Sequence, residues 1–240
     1  MLALFASIAA VATWAVFPAT LYEAPTRSAF HPSTETPALF VAVAHAETAE
    51  SPSISKLGTS VATTVVQRVP FFSQFTDITS PAWQKVGCGI TDLTMLIHYY
   101  RPDASVTVDQ MLTKGIAAGA YDYTAGWTYR GLINLGKPYG LTGTWYTLPG
   151  DSSAALERFK LLLADGPVIL SVHYKFDPKS TIPHLVVING IKDGTVYYND
   201  PATTKGTKEI SLADFLKGWK RKVIVIRPVV ASGEAALAER

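Results

Sequence analysis

The sequence predicts an α+β domain in which helices come first and an antiparallel sheet follows. Between residues 89 and 164 apolar residues recur at helical spacing, whereas from residue 168 onward they fall in short β-branched and aromatic runs. A third observation is Lys192-Asp193-Gly194, a hairpin turn between two of those runs, which makes the strands it joins antiparallel.

Taken in order, Val65 to Phe72 reads as an opening strand and residues 73 to 87 as an irregular loop. From Gly89 the positions Ile90, Leu93, Leu96, Ile97 and Tyr100 mark a core helix. It must stop before Pro102, because the residue ahead of a proline is pushed out of the α region. Thr107 can cap a short helix through Leu112, and Ala125 to Leu135 carries a third, bounded by Gly136 and Pro138. Ser152 or Ser153 begins a stronger helix, Ala154 to Ala164, closed by Gly166-Pro167. Strands are expected at 168–174, 184–189, 195–198, 208–211 and 223–227, with a helix from Leu212 to Trp219 between the last two. The basic cluster Lys217, Lys220, Arg221 and Lys222 falls where that helix should end, a place where positive charge compensates the dipole.

Residues 2–17, LALFASIAAVATWAVF, form an uncharged apolar run suited to a signal h-region or a membrane span. Ala44-His45-Ala46 ahead of Glu47 has the form of a cleavage site. The expected organisation is an export signal or membrane anchor with leader over 1–46, a Ser/Thr-rich linker over 47–66, the globular domain over 67–230 and a flexible tail over 231–240. The domain is therefore expected outside the cytoplasm, extracellular, periplasmic or tethered to a membrane through residues 2–17. Arg27, Glu23 and Glu35 are the charges ahead of residue 47, so a chain of net +2 leaves net +3 on the remainder. That balance does not indicate nucleic acid. A monomer is expected.

One cysteine in 240 residues excludes an intrachain disulfide. Cys88 stands between Gly87 and Gly89 where the core helix begins. The positive end of the helix dipole favours its thiolate, and its backbone N–H, unbonded within the helix, can donate to a developing oxyanion. The flanking glycines would let a substrate carbonyl approach closely. This leaves a buried spectator and a nucleophile as equal readings, since a nucleophile needs a base.

Five histidines compete for that role. His31 and His45 lie in the leader, and His98 is ten residues up the same helix, roughly 15 Å along its axis at 1.5 Å per residue. His173 lies inside a strand, where a half-buried structural histidine is common, whereas His184 opens a strand after Pro183, at a sheet edge where its ring can face a cleft. His184 is the favoured base. Asn199-Asp200-Pro201 ends the strand that the hairpin returns alongside His184, so Asp200 can orient the imidazole, although Asn-Asp-Pro is also an ordinary turn former.

Val69-Pro-Phe-Phe-Ser-Gln74, Trp83, Gly87-Cys-Gly-Ile-Thr91 running into a helix that ends Tyr99-Tyr100, His184-Leu-Val-Val-Ile-Asn-Gly190 and Val196-Tyr-Tyr-Asn-Asp-Pro201 together resemble the C39-like peptidases, a family of papain-like cysteine peptidases. The likeness covers about residues 69 to 227. It implies the papain-like fold, Cys88 as nucleophile, His184 as general base and later acid, Asp200 as its orienter, and Gln74 as the side-chain donor of the oxyanion hole. Two departures stand out. Asp92 puts a carboxylate one helical turn from the sulfur, where it opposes the thiolate if it points inward and merely complements the dipole if it points outward. Gln74 is fourteen residues before Cys88, a longer interval than in the peptidase domains of bacteriocin exporters, which keeps Gln84 as a second candidate.

The expected chemistry is hydrolysis of a peptide or isopeptide amide in a peptide or protein substrate. The alternatives are transfer of the acyl group to an amine, as in transglutaminases, and a catalytically silent surface binding module. No cofactor is implied, and no metal, because the cysteine, histidines and aspartate lack local zinc-ligand spacing. Tyr121, Tyr123, Trp127, Tyr129, Trp145 and Tyr146 crowd the stretch between the blocks, most of them expected in the core and some lining a groove.

Overall fold

A computed structural model describes residues 65–148 and 151–229. The expected leader, nearly all of the linker and the tail lie outside those residues. Their elements in order are α1 (Pro81–Gln84), α2 (Cys88–Tyr100), α3 (Val108–Ala117), β1 (Tyr121–Asp122), β2 (Gly126–Trp127), α4 (Tyr129–Gly136), β3 (Leu141–Thr147), α5 (Ser152–Ala164), β4 (Val168–His173), β5 (Pro183–Lys192), β6 (Thr195–Asn199), β7 (Lys208–Ser211), α6 (Leu212–Gly218) and β8 (Trp219–Pro228). Six strands form one antiparallel sheet in the order β3-β8-β4-β5-β6-β7, and β1 with β2 makes a separate short hairpin.

The α+β expectation holds, and the sheet is buried on both faces. Leu93, Leu96 and Ile97 of α2 share a core with Ile169, Leu185, Val187 and Ile224. Phe159 of α5 and Phe215 of α6 share a second core with Leu170, Val186, Ile188 and Val223. Adjacent strand residues thus serve opposite cores, as the two-residue period of a strand requires. This explains why Val168-Ile-Leu-Ser-Val172 is nearly continuous in apolar residues. The hairpin between β5 and β6 turns through Asp193 (φ 49°) and Gly194 (φ 74°), the left-handed pair that an Asp-Gly turn supplies.

Helix α3 begins at Thr107, whose side chain accepts from Gln110 N while the Gln110 side chain accepts from Thr107 N. Thr107→Ala is expected to cost about 1 kcal/mol, seen as a lower urea midpoint at unchanged slope, whereas Thr107→Ser should preserve the midpoint. The helix continues beyond the expected Leu112 to Ala117 because Gly115 is small enough to seat against the Trp127 ring. Asp151, not Ser152 or Ser153, caps α5 by accepting from Ala154 N.

Four further expectations differ from the structure. Val65 to Phe72 is not a strand: Gln67 N donates to Asn189 O (2.8 Å), but both edges of β5 are already taken by β4 and β6. The helix expected from Ala125 starts at Tyr129, capped by Thr128, because Gly126-Trp127 folds back on Tyr121-Asp122. Strand β3 is an edge strand whose residues are mostly exposed, so no apolar alternation announces it. Finally α6 stops at Gly218, which places Lys220, Arg221 and Lys222 in β8 and leaves Lys217, paired with Asp214 at 2.8 Å, as the basic residue of the last turn.

Candidate active site

Cys88 is the first residue of α2, with Gly87 at the N-cap, and its partly buried side chain opens into a cleft of about 490 Å³. The helical side of the cleft carries Gln74, Val86, Tyr121 and Trp127, and the sheet side carries Ser171, Tyr174, His184 and Leu185. Lys85 and His184 are the ionisable nitrogens on its walls, and no carboxylate lines it among the described residues.

His184 is the second residue of β5. That strand is interior to the sheet, not at its edge as the sequence suggested. The ring still reaches the cleft because β6 pairs with β5 only from the Val187–Asn199 position inward, leaving the start of β5 beside the turn that follows β6. There His184 Nε2 lies 2.7 Å from Asp200 Oδ1, which also accepts from Ala202 N at 2.9 Å. With Nε2 engaged, Nδ1 is the ring nitrogen left for Cys88.

Burial of the imidazole pushes its pKa down, but hydrogen bonds to Asp200 and Cys88 and the charges of both outweigh burial and raise it from 6.5 to about 10. The folded site therefore holds an imidazolium at neutral pH. Tyr174 stands edge-on to the ring, centroids 5.3 Å apart.

Gln74 is buried at the helical side of the cleft. Its Nε2 donates to Gln84 O (2.7 Å), which uses one of the two N–H groups of the amide and leaves the other. Its backbone N donates to Pro201 O at 2.8 Å, tying it to the turn that carries Asp200. Gln84 is turned elsewhere: its amide donates to Ile78 O at 2.8 Å, and it does not line the cleft. His173, at the end of β4, engages Ser180 O through Nδ1 (2.9 Å). His98 engages Val106 O through Nε2 (2.8 Å) with Phe72 edge-on to its ring. His31 and His45 lie outside the described residues.

Asp92 points inward. It is 0% exposed, and neither carboxylate oxygen has a hydrogen-bond partner. Burial first, then the charge of Cys88, hold its carboxyl well above the usual carboxylate range, with His184 pulling the other way. A carboxyl so placed favours its neutral form, which eases the conflict with a thiolate that the sequence raised.

The two glycines beside Cys88 do not clear a path for substrate. A Cβ on Gly89 would meet Trp127 Cβ and Cγ at 2.8 and 2.9 Å and Leu185 Cδ1 at 3.1 Å, and one on Gly87 would run into Ile78. Both are packing glycines that seat the helix start against its neighbours. Gly89→Ala should lower stability by about 1–3 kcal/mol through overpacking, outweighing a gain of about 1 kcal/mol in helix propensity. Thermal unfolding would show this as a lower Tm.

Trp127 is fixed by Nε1 donating to Val86 O (2.8 Å) and by Tyr121 edge-on at 5.2 Å. Tyr123, 82% exposed, extends this aromatic wall into solvent, whereas Trp145 and Tyr146 lie on β3 away from the cleft. Ile182 on the opposite wall carried no signal in the sequence, because the loop that brings it there has no periodicity, and Tyr174, expected to end a strand, instead starts the turn after β4 that faces the cleft. No group of three His, Cys, Asp or Glu side chains among the described residues is placed to hold a metal ion.

Helices packed on an antiparallel sheet, with the thiol at a helix start facing a strand histidine across a cleft, define the papain-like class of cysteine peptidase fold. The chain belongs to the Peptidase_C39 like family, which matches residues 66–223, and so carries a C39-type cysteine peptidase domain. It is 29% identical over 143 residues to the pediocin PA-1 transport/processing ATP-binding protein PedD of Pediococcus acidilactici. That match covers 60% of this chain and spans 17% of the relative. Among solved structures it is similar to a double glycine motif protease from an AMS/PCAT transporter in complex with the leader peptide (22% identity, TM-score 0.49, 70% of this chain and 98% of that one). It is also similar to the peptidase domain of Streptococcus ComA, a bi-functional ABC transporter of a quorum sensing pathway (16% identity, TM-score 0.46, 60% of this chain and 93% of that one).

These comparisons overturn the expectation of export. The curated relative is a transport/processing ATP-binding protein rather than a secreted peptidase, and the signal and tether readings rested on residues outside those described. Placement outside the cytoplasm is withdrawn. Among the described residues no helix is long and apolar enough to cross a membrane.

Proposed function

We propose that the chain is a cysteine peptidase whose Cys88 thiolate attacks the carbonyl of a peptide or isopeptide amide. The sulfur–carbon bond forms as the carbonyl oxygen takes up negative charge, received by the free N–H of Gln74 Nε2 and the backbone N–H of Cys88. The His184 imidazolium gives its proton to the leaving amine as the carbon–nitrogen bond breaks. Neutral His184 then takes a proton from water, which attacks the thioester and releases the acid and the thiolate. Asp200 holds the ring so that Nδ1 faces the sulfur throughout.

The observation that carries this reading is the position of His184, bonded to Asp200 at 2.7 Å and raised in pKa by its hydrogen bonds to Asp200 and Cys88 against the effect of burial. The aromatic and apolar walls of the cleft support a peptide that presents apolar side chains beside the scissile bond.

A diverse peptide library and a thiol-directed peptidase probe test the proposal. Cleavage fragments, with rapid labelling of Cys88, are the expected result. Slow labelling with no cleaved peptide would make the site silent, and products carrying an added amine donor in place of water would assign it to acyl transfer instead.

A further inference from the structure

Asp92 has no place in the steps above, yet it is fully buried one helical turn beyond Cys88 with both oxygens unpartnered. Residues four apart on a helix share a face, so the carboxyl and the sulfur belong to one side of α2. The ionisable groups that act on it are Cys88 from its own helix, His184 from β5 and Asp200 from the turn after β6. No lysine or arginine acts on it, and no hydrogen-bond donor reaches it among the described residues. An ionised carboxyl in that position would be a buried anion with no hydrogen-bond donor, next to a second carboxylate and a thiolate and opposed only by the imidazolium of His184, which Asp200 and Cys88 already engage.

Resting on the reading of Cys88 as nucleophile, we propose that Asp92 is a proton-bearing positioning residue. It stays a neutral carboxylic acid while the neighbouring sulfur is a thiolate, and it gives up its proton more readily once that sulfur is acylated or alkylated. The reasoning is reciprocal. Burial and, after it, the thiolate's charge hold the proton on Asp92, so removing that charge must loosen the proton by the same coupling. A neutral Asp92 in turn lets the thiolate form without an opposing charge. The cluster then carries a buried proton that responds to the covalent state of Cys88, which distinguishes Asp92 from an inert core carboxyl.

Infrared spectroscopy of the whole chain reads the carboxyl directly. A protonated-carboxyl carbonyl band should be present at neutral pH, be missing in Asp92→Asn, and titrate at lower pH after Cys88 is alkylated with iodoacetamide. The alkylation arm needs no variant, so it decides the matter even if Asp92→Asn folds poorly. Thiolate absorbance supplies a second readout: its midpoint should be unchanged in Asp92→Asn, an isosteric and permanently neutral side chain. If Asp92 were ionised beside Cys88, the substitution would remove an opposing charge and lower that midpoint by about a unit or more. Such a drop, the absence of the band, or a band whose titration ignores alkylation would overturn the proposal. None of these readouts uses turnover, so a chain that cleaves no peptide but shows the coupled band would defeat the peptidase reading and leave this one standing.

Discussion

His184→Ala is expected to lower kcat/KM for peptide hydrolysis by about 10²–10⁴-fold, while His173→Ala leaves it near the wild-type value. The contrast follows from their partners: His184 is held between Asp200 and Cys88, whereas His173 engages a backbone carbonyl outside the cleft. Alanine at 184 also leaves the buried Asp200 without its imidazole partner, holding only the Ala202 N–H, which should cost about 3–5 kcal/mol of stability. His184→Gln separates the two effects, since its amide can still donate to Asp200 but carries no transferable proton. Activity lost in both variants, with stability largely retained in the glutamine, is the expected pattern; an active His184→Gln would remove the histidine from the chemistry.

The same ring sets the pH behaviour. Because folding raises His184 from 6.5 to about 10, the imidazolium persists through neutral pH, and the alkaline limb of kcat/KM should fall near pH 10. The ion-pair contribution to stability is complete below about pH 6.5 and disappears as the pH rises through 10. Asp200→Asn takes away one of the contacts that raise the pKa and should move the limb downward. A pH–rate profile identical to wild type would show that Asp200 does not act on the imidazole.

Gln74→Ala is expected to reduce kcat by about 10²–10³-fold with little change in KM, the signature of a donor that meets charge present only in the transition state. Its amide also donates to Gln84 O, so a loss of about 0.5–1.5 kcal/mol in stability should accompany the change. Alkylation of Cys88 by iodoacetamide forms no oxyanion, and its rate should remain at the wild-type value. If alkylation slowed as much as hydrolysis, Gln74 would be shaping the thiol rather than the tetrahedral oxygen. Gln84→Ala should leave kcat unchanged, because its side chain is committed to Ile78 O.

Much of the architecture is legible in the residues because local and tertiary preferences agree there. Helix α2 follows from its apolar spacing and from Pro102, and the β5–β6 hairpin from Asp193-Gly194. The hairpin also brings Asp200 back toward His184, so their neighbourhood is legible in the residues, and the structure places Oδ1 2.7 Å from Nε2. Where tertiary contacts decide, the sequence is mute. Strand β3 is an exposed edge with no alternation, and the β1–β2 hairpin is too short to show a period. Gly87 and Gly89 could equally have faced a ligand or a neighbouring side chain, and only Ile78 and Trp127 decide it. Its spacing to Cys88 left open whether Asp92 points inward or outward, and the upward shift of its pKa depends on burial without donors, which no linear pattern records.

The Asn199-Asp200-Pro201 turn joins parts of the chain far apart in sequence. Asn199 Nδ2 donates to Val69 O at 3.1 Å, and Pro201 O accepts from Gln74 N at 2.8 Å and Ser73 Oγ at 3.3 Å, while Asp200 Oδ1 lies 2.7 Å from His184 Nε2. One knot therefore ties the residue proposed as proton carrier to the residue proposed as anion receptor, so a shift in one is passed to the other. An insertion at the exposed Thr204-Lys205 bend is expected to be tolerated, whereas a single residue added or lost at the knot would misalign both ends of the proposed reaction at once.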